Sequence, residues 1–225
     1  MTRCGLEEMS LSTPSDILLA AGERMMKLGV MGGTFDPIHH GHLSIASEAA
    51  YQFSLDGVLF IPAFIPPHKL DKNRAQSHHR AAMVERAIAE NSCFAVSRLE
   101  LEREGVSYSI DTVNRLLEIY DQAVDIYFIA GADAVLDIQS WMRAEELRER
   151  CRFIAACRPG FDLAALDELP LQWRSRIFPL DNPLLDISST DIRHRVAKGR
   201  PIKYLLPEAV EKYIFQQGLY RGDTK

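Results

Sequence analysis

Short apolar runs alternate with longer amphipathic stretches along this chain. Lys27–Met31, Val58–Ile61, Phe94–Val96, Ile126–Ala130, Arg152–Ala156 and Arg176–Phe178 read as strands. Their near-continuous apolar character predicts a parallel sheet covered on both faces. Between them the period changes to that of a helix. In His42–Phe53, residues Leu43, Ala46, Ala50 and Phe53 form an apolar stripe, while Ser44, Glu48 and Gln52 face outward. Ser77–Glu90, with Met83, Ala87 and Ile88 inward, reads as a second helix. Ser109–Tyr120 reads as another, opened by Ser109 with Asp111 in its first turn. Ala144–Arg150, Ser189–Lys198 and Pro207–Gln217 complete the helices, the last carrying a core stripe of Val210, Tyr213 and Ile214. A proline-rich loop is expected over 62–76, irregular chain over Leu99–Gly105, and an outer helix over Phe161–Trp173. The fold class is α/β: a Rossmann-like parallel sheet with helices on both faces and a small C-terminal helical part. Residues 1–25 read as an extension with a helical turn around Ser15–Ala21, and 26–225 as a single domain.

Ligands of such sheets bind beyond the carboxyl ends of the strands. Gly32–Thr34, Pro62–Lys69, Gly131–Asp133 and Arg158–Gly160 all directly follow strands, so they are expected on one rim. The richest of these segments runs Gly32-Gly33-Thr34-Phe35-Asp36-Pro37-Ile38-His39-His40-Gly41-His42. Its glycines let backbone N–H groups approach a ligand closely. His39 and His42 fall one helical turn apart, on one face, at the electropositive end of a helix. That combination reads as a nucleoside triphosphate site. The dinucleotide fingerprint G-x-G-x-x-G, the P-loop G-x-x-x-x-G-K-[ST] and the nucleophile elbow G-x-S-x-G do not occur.

Composition narrows the partners. The chain has 225 residues, 47% hydrophobic and 25% charged, with a net charge of -5. That balance suits a globular protein and argues against DNA or RNA as main partner, while leaving room for a small phosphate ligand on a local basic patch. Cys4, Cys93, Cys151 and Cys157 form no C-x-x-C pair and read as reduced core cysteines of a cytoplasmic protein. No run is long enough for a membrane span. A zinc half-site at His39 and His42 lacks a third ligand at metal-site spacing. His40, His78 and His79 read as surface residues, and Arg195, Lys198, Arg200 and Lys203 as a solvated face.

The long first motif resembles the signature of the nucleotidyltransferase superfamily with the H-x-G-H motif. Ile187-Ser188-Ser189-Thr190-Asp191-Ile192-Arg193 is similar to its second signature. Pro66-Pro67-His68-Lys69, Ser107–Thr112, Gly131-Ala132-Asp133, Trp141 and Arg158-Pro159-Gly160 fall in order between them. Together they resemble the bacterial nicotinate mononucleotide adenylyltransferases, from about Met26 onward. The resemblance implies transfer of an adenylyl group from ATP to nicotinate mononucleotide, giving deamido-NAD and pyrophosphate. It implies Mg²⁺ carried on the ATP phosphates, with no metal ligand from the protein. His39, His42, Arg193 and Lys69 are the implied catalytic set. Gly32, Gly33, Thr34, Phe35, Gly131, Asp133, Ile187, Ser188 and Ser189 join His39, His42 and Arg193 around ATP, with Ser188 and Asp191 resembling a capping box. Thr34, Lys69, Tyr108, Ser109, Thr112, Trp141 and Arg158 are implied for the mononucleotide. The family usually has Thr where Ser109 stands, a change that is nearly silent if the contact is through the backbone. Nicotinamide mononucleotide or pantetheine phosphate as acceptor, and a nucleotide sensor without turnover, are the alternatives. Oligomeric state is left open.

Overall fold

The computed structural model describes residues 25–65, 74–157, 160–161 and 163–221. Six parallel strands form one sheet: β1 (Met26–Gly33), β2 (Gly57–Pro62), β3 (Phe94–Val96), β4 (Val124–Gly131), β5 (Arg152–Ala156) and β6 (Ile177–Leu180). Their spatial order is β3-β2-β1-β4-β5-β6. The chain winds outward from β1 in one direction, then returns to build from β4 in the other. The carboxyl ends of β1 and β4 therefore border a topological switch point, where open α/β sheets bind ligands.

The burial pattern explains why the strands sit centrally. Leu28 and Val30 are fully buried on one face of β1, and all of β2 is buried. Gly29, facing the other way, is there for space. A Cβ at that position would lie 2.8 Å from Leu55 and 3.2 Å from Ile129. One face is covered by α4 (Ser109–Ile119), α6 (Ala144–Arg150) and α7 (Leu171–Arg174), through Val113, Leu116, Leu147 and Trp173. The other is covered by α1 (His40–Gln52), α2 (Ser77–Ile88), α8 (Ser189–Ala197) and α9 (Glu208–Gln216), through Ala46, Met83, Ile192 and Ile214.

Two expectations need correction. Leu99–Arg103 is a short helix, α3, because buried Glu100 accepts a hydrogen bond from Thr112 Oγ1 at 2.5 Å and locks that turn onto α4. Over Phe161–Trp173 the described chain forms a 3₁₀ segment, Leu163–Glu168, and then α7. Pro170 lacks the N–H that a continuous helix would need there. The small C-terminal helical part, α8 and α9, covers the sheet's second face. A brief helix not anticipated, α5 (Ala132–Leu136), leaves β4 directly. Among the described residues, no helix is long and apolar enough to cross a membrane.

Candidate active site

The first motif forms a tight bend from β1 into α1. Phe35 adopts φ 48°, which turns its ring back under Gly33. A Cβ on Gly33 would lie 2.9 Å from that ring, so glycine is required there. The Phe35 ring also meets His42 edge-on at 5.2 Å. His39 is the N-cap of α1, in extended conformation, and the two motif imidazoles lie 3.8 Å apart between centroids. Gly41 makes room for this pair: a Cβ there would be 3.0 Å from His39 Nδ1.

One hydrogen bond sets the chemistry of His42. The backbone N–H of His39 donates to His42 Nδ1 at 3.2 Å. Nδ1 must therefore accept, so the tautomer that fits this network carries its proton on Nε2. The half-exposed ring then offers an N–H donor at the electropositive start of α1.

The second motif opens α8. Ser188 is its N-cap, and Ser188 Oγ accepts from the Asp191 N–H at 3.1 Å. Only this half of the expected capping box forms, because the Asp191 carboxylate pairs with Arg195 at 2.6 Å. The two motifs are tied together directly. Ser189 Oγ donates to the Pro37 carbonyl at 2.8 Å, and Arg193 Nη1 donates to the Asp36 carbonyl at 2.8 Å. Two helix N-termini, α1 and α8, thus open onto one cleft of about 900 Å³ at the carboxyl ends of the strands. Every residue expected around ATP lines it except Asp133, which is exposed at the start of α5.

The residues expected around the second substrate are placed differently. Of these, Thr34 lines the cleft. Lys69 and Arg158 lie outside the described residues. Tyr108 and Trp141 pack, half-buried, against the core of the opposite sheet face, with Trp141 edge-on to Phe128 at 5.8 Å. Thr112 is buried, with its hydroxyl engaged by Glu100, so its side chain is structural. Its N–H and that of Asp111 return to the Tyr108 carbonyl, which leaves the amides of Ser109 and Ile110 as the ones that α4 does not use. Asp111, expected as a helix-dipole residue, also pairs with Arg103 at 3.0 Å.

Two supporting residues escaped the sequence reading. Arg80, on α2, is 1% exposed. It donates to three carbonyls: Thr34 at 2.7 Å, Phe64 at 3.2 Å and Ala75 at 3.2 Å. It therefore joins the phosphate bend to both stems of the loop expected to carry Lys69. Burial pulls its pKa down and the nearby Asp36 charge pushes it back up. Tyr220 donates its hydroxyl to Asp36 Oδ1 at 2.6 Å, and the Ala75 N–H reaches the same oxygen at 3.2 Å. Arg80 carried a usable signal: a cation among Ala81, Met83 and Val84, on the inward face of a helix. Tyr220 carried none. His79 also differs from expectation. It is half-buried, and its Nδ1 lies 2.9 Å from the Tyr213 hydroxyl. Burial, and secondarily the adjacent His78, lower its pKa.

Comparison with known proteins agrees with this geometry. The cytidylyltransferase-like family model matches residues 30–195. A "Probable nicotinate-nucleotide adenylyltransferase" of Moorella thermoacetica is 51% identical over 199 residues, covering 87% of this chain and 92% of its own. One from Thermoanaerobacter sp. is 48% identical over 207 residues, covering 90% and 98%. Among solved structures, the Plasmodium falciparum nicotinic acid mononucleotide adenylyltransferase complexed with NaAD superposes with a TM-score of 0.71. It is 23% identical and covers 87% of this chain and 97% of its own, a likeness of fold.

Proposed function

This chain belongs to the cytidylyltransferase-like family, among the nicotinate-nucleotide adenylyltransferases, and from that premise we propose how its cleft does the chemistry. The reaction is adenylyl transfer from ATP to nicotinate mononucleotide, a step of NAD biosynthesis. A new bond forms between a phosphate oxygen of the mononucleotide and the α-phosphorus of ATP. The bond from that phosphorus to the β-phosphate oxygen breaks, and pyrophosphate leaves. A ribonucleotide phosphate has its second pKa near about 6, so the attacking oxygen is already ionised at neutral pH and needs no general base. The enzyme's work is alignment and neutralisation of charge.

The residues suit that work. His42 Nε2–H donates to the phosphate oxygens where charge grows during transfer. His39 caps α1 and sets the tautomer of His42 through its own N–H. The bend from Gly32 to Phe35 lies against the nucleotide, and the amides at the start of α8, around Ser188 and Ser189, take the β- and γ-phosphates. Arg193 clamps the departing pyrophosphate, with Lys69 approaching from its own loop. Mg²⁺ carried on the ATP phosphates would supply further neutralisation of their charge. Ser109 and Ile110 amides receive the nicotinate carboxylate, Trp141 meets the ring, and Arg158 the mononucleotide phosphate.

The observation that carries this reading is the convergence of both motifs, joined by hydrogen bonds, on the cleft at the switch point. A coupled pyrophosphate-release assay with ATP tests it. Nicotinate mononucleotide should support turnover well above nicotinamide mononucleotide and pantetheine phosphate. Equal turnover with the amide would refute the nicotinate assignment, and ATP binding without pyrophosphate release would leave only a sensor.

A further inference from the structure

We propose that Asn182 is a positioning residue that sets the spacing between two walls of the cleft, and with it the alignment of the two substrates. This rests on the reading that puts the triphosphate at the start of α8 and the acceptor phosphate on the chain leaving β5.

The pairing of β5 with β6 ends at Ala156 and Leu180. The chain after β6 soon reaches Pro183, which has no N–H to donate to a further rung. The Asn182 side chain takes over where the strands part. Its Oδ1 accepts from the Cys157 N–H at 2.9 Å, and its Nδ2 donates to the Cys157 carbonyl at 3.1 Å. Only this orientation of the carboxamide satisfies both backbone groups of Cys157. Nδ2 also donates to the Pro183 carbonyl at 3.2 Å, so both of its N–H groups are engaged by backbone. Asn182 therefore acts through the backbone it holds.

These bonds join two walls of the site. Cys157 and Asn182 both line the cleft, as do Leu185, Asp186 and Ile187 further on. From Asp181 to Ser188 the chain is neither helix nor strand, and residues 183–186 are exposed. At its far end this segment meets the first motif: the Ile187 carbonyl would lie 3.8 Å from a Cβ on Gly41. At its near end a second amide, Gln52 on α1, accepts from the Asp181 N–H at 3.2 Å and donates to the Asp181 carbonyl. Gln52 ties the segment to α1, whereas Asn182 ties it to β5. Of the two, Asn182 is the one that fixes the distance from the chain after β5 to the start of α8. Reacting atoms must be held about 3–3.5 Å apart and in line, so a shift of about 1 Å between these walls is felt first in the rate.

The experiment compares Asn182→Ala, Asn182→Asp and Gln52→Ala in the full chain, by pyrophosphate release from ATP and nicotinate mononucleotide per folded molecule. Near-ultraviolet dichroism checks folding, and hydrogen exchange follows the Cys157 amide. Asn182→Ala should speed exchange at Cys157 and lower kcat about tenfold, with the KM for each substrate within about threefold. Asn182→Asp keeps the side chain's shape but loses both donors and sets an oxygen against two carbonyls. Its kcat should fall at least as far, and it carries the same test should alanine prevent folding. Gln52→Ala frees the segment from α1 but leaves the Cys157 bonds, so kcat should change by less than about twofold. Undiminished kcat in the folded Asn182 variants, or unchanged exchange at Cys157 in Asn182→Ala, would overturn the proposal. So would an equal loss in Gln52→Ala, which would mean that order in the segment matters and not its spacing from β5. A loss confined to the KM of one substrate would overturn it too. Failure of the reading beneath it looks different: the wild-type protein would then release no pyrophosphate with nicotinate mononucleotide.

Discussion

Replacing Arg80 by methionine tests the claim that a buried cation builds the phosphate bend. Methionine keeps most of the side-chain length and its apolar contacts but removes every donor. Three carbonyls lose their bonds, those of Thr34, Phe64 and Ala75. The Asp36 carboxylate loses its nearby buried counter-charge but keeps Tyr220 and the Ala75 N–H. Hydrogen bonds from a charged donor contribute about 1.5–3 kcal/mol each, so losing three that share one side chain costs about 3–5 kcal/mol. The three carbonyls belong to half-buried residues, so water can reach them and the lower end of the range, about 3 kcal/mol, is expected. At about 2–4 °C per kcal/mol for a chain of this size, Tm should fall by roughly 6–12 °C. Urea unfolding without ligand gives the stability, and pyrophosphate release below the lowered Tm gives the activity. Activity should fall as well, because Arg80 holds the bend in shape. A stability loss under about 1 kcal/mol would refute the claim. Full activity in a strongly destabilised protein would show that Arg80 serves the fold and not the bend.

Other predictions follow from the site's geometry. His42→Ala should lower kcat by about 10²–10³, the loss typical of one transition-state donor, with milder change in KM; lost stability with intact activity per folded molecule would instead mark His42 as structural. Trp141→Ala should raise the KM for the mononucleotide more than that for ATP in steady-state assays, and an unchanged mononucleotide KM would remove Trp141 from the site. His79 gives a pH dependence of stability. Its folded pKa is lowered below the ordinary 6.5, so as pH falls below that value the unfolded chain binds the proton first. Stability is then lost on acidification, and urea midpoints for wild type and His79→Gln should converge as pH drops from about 7.5 to 5.5.

The sheet was largely legible in the sequence because five of its strands are nearly continuous apolar runs, and burial on both faces leaves few other ways to write them. The nucleotide half of the site was legible for another reason. Glycines where a Cβ would crowd a neighbouring ring, such as Gly33 and Gly41, and an N-capping serine, such as Ser188, are needed locally and so are written locally. The helix at Leu99–Arg103 was hidden because what fixes it, the bond from Thr112 to Glu100, is tertiary. Asp36 and Tyr220 act through partners remote in sequence, which no local pattern reports. The burial of Thr112 was hidden for the same reason: its position beside the α4 start is local, but its bond to Glu100 is not.

The spans of the bonds around Asp36 have a consequence for synthesis. Asp36 and Tyr220 are 184 positions apart, Asp36 and Arg193 157, and Pro37 and Ser189 152. A nascent chain ending near Leu180 already contains every strand of the sheet, yet lacks each of these partners. The part made first is thus the part completed last. Contacts of such separation form late and slowly, so the scaffold can stand before the catalyst exists. The bonds that tie the first motif to the second form only once residues 189–220 have emerged.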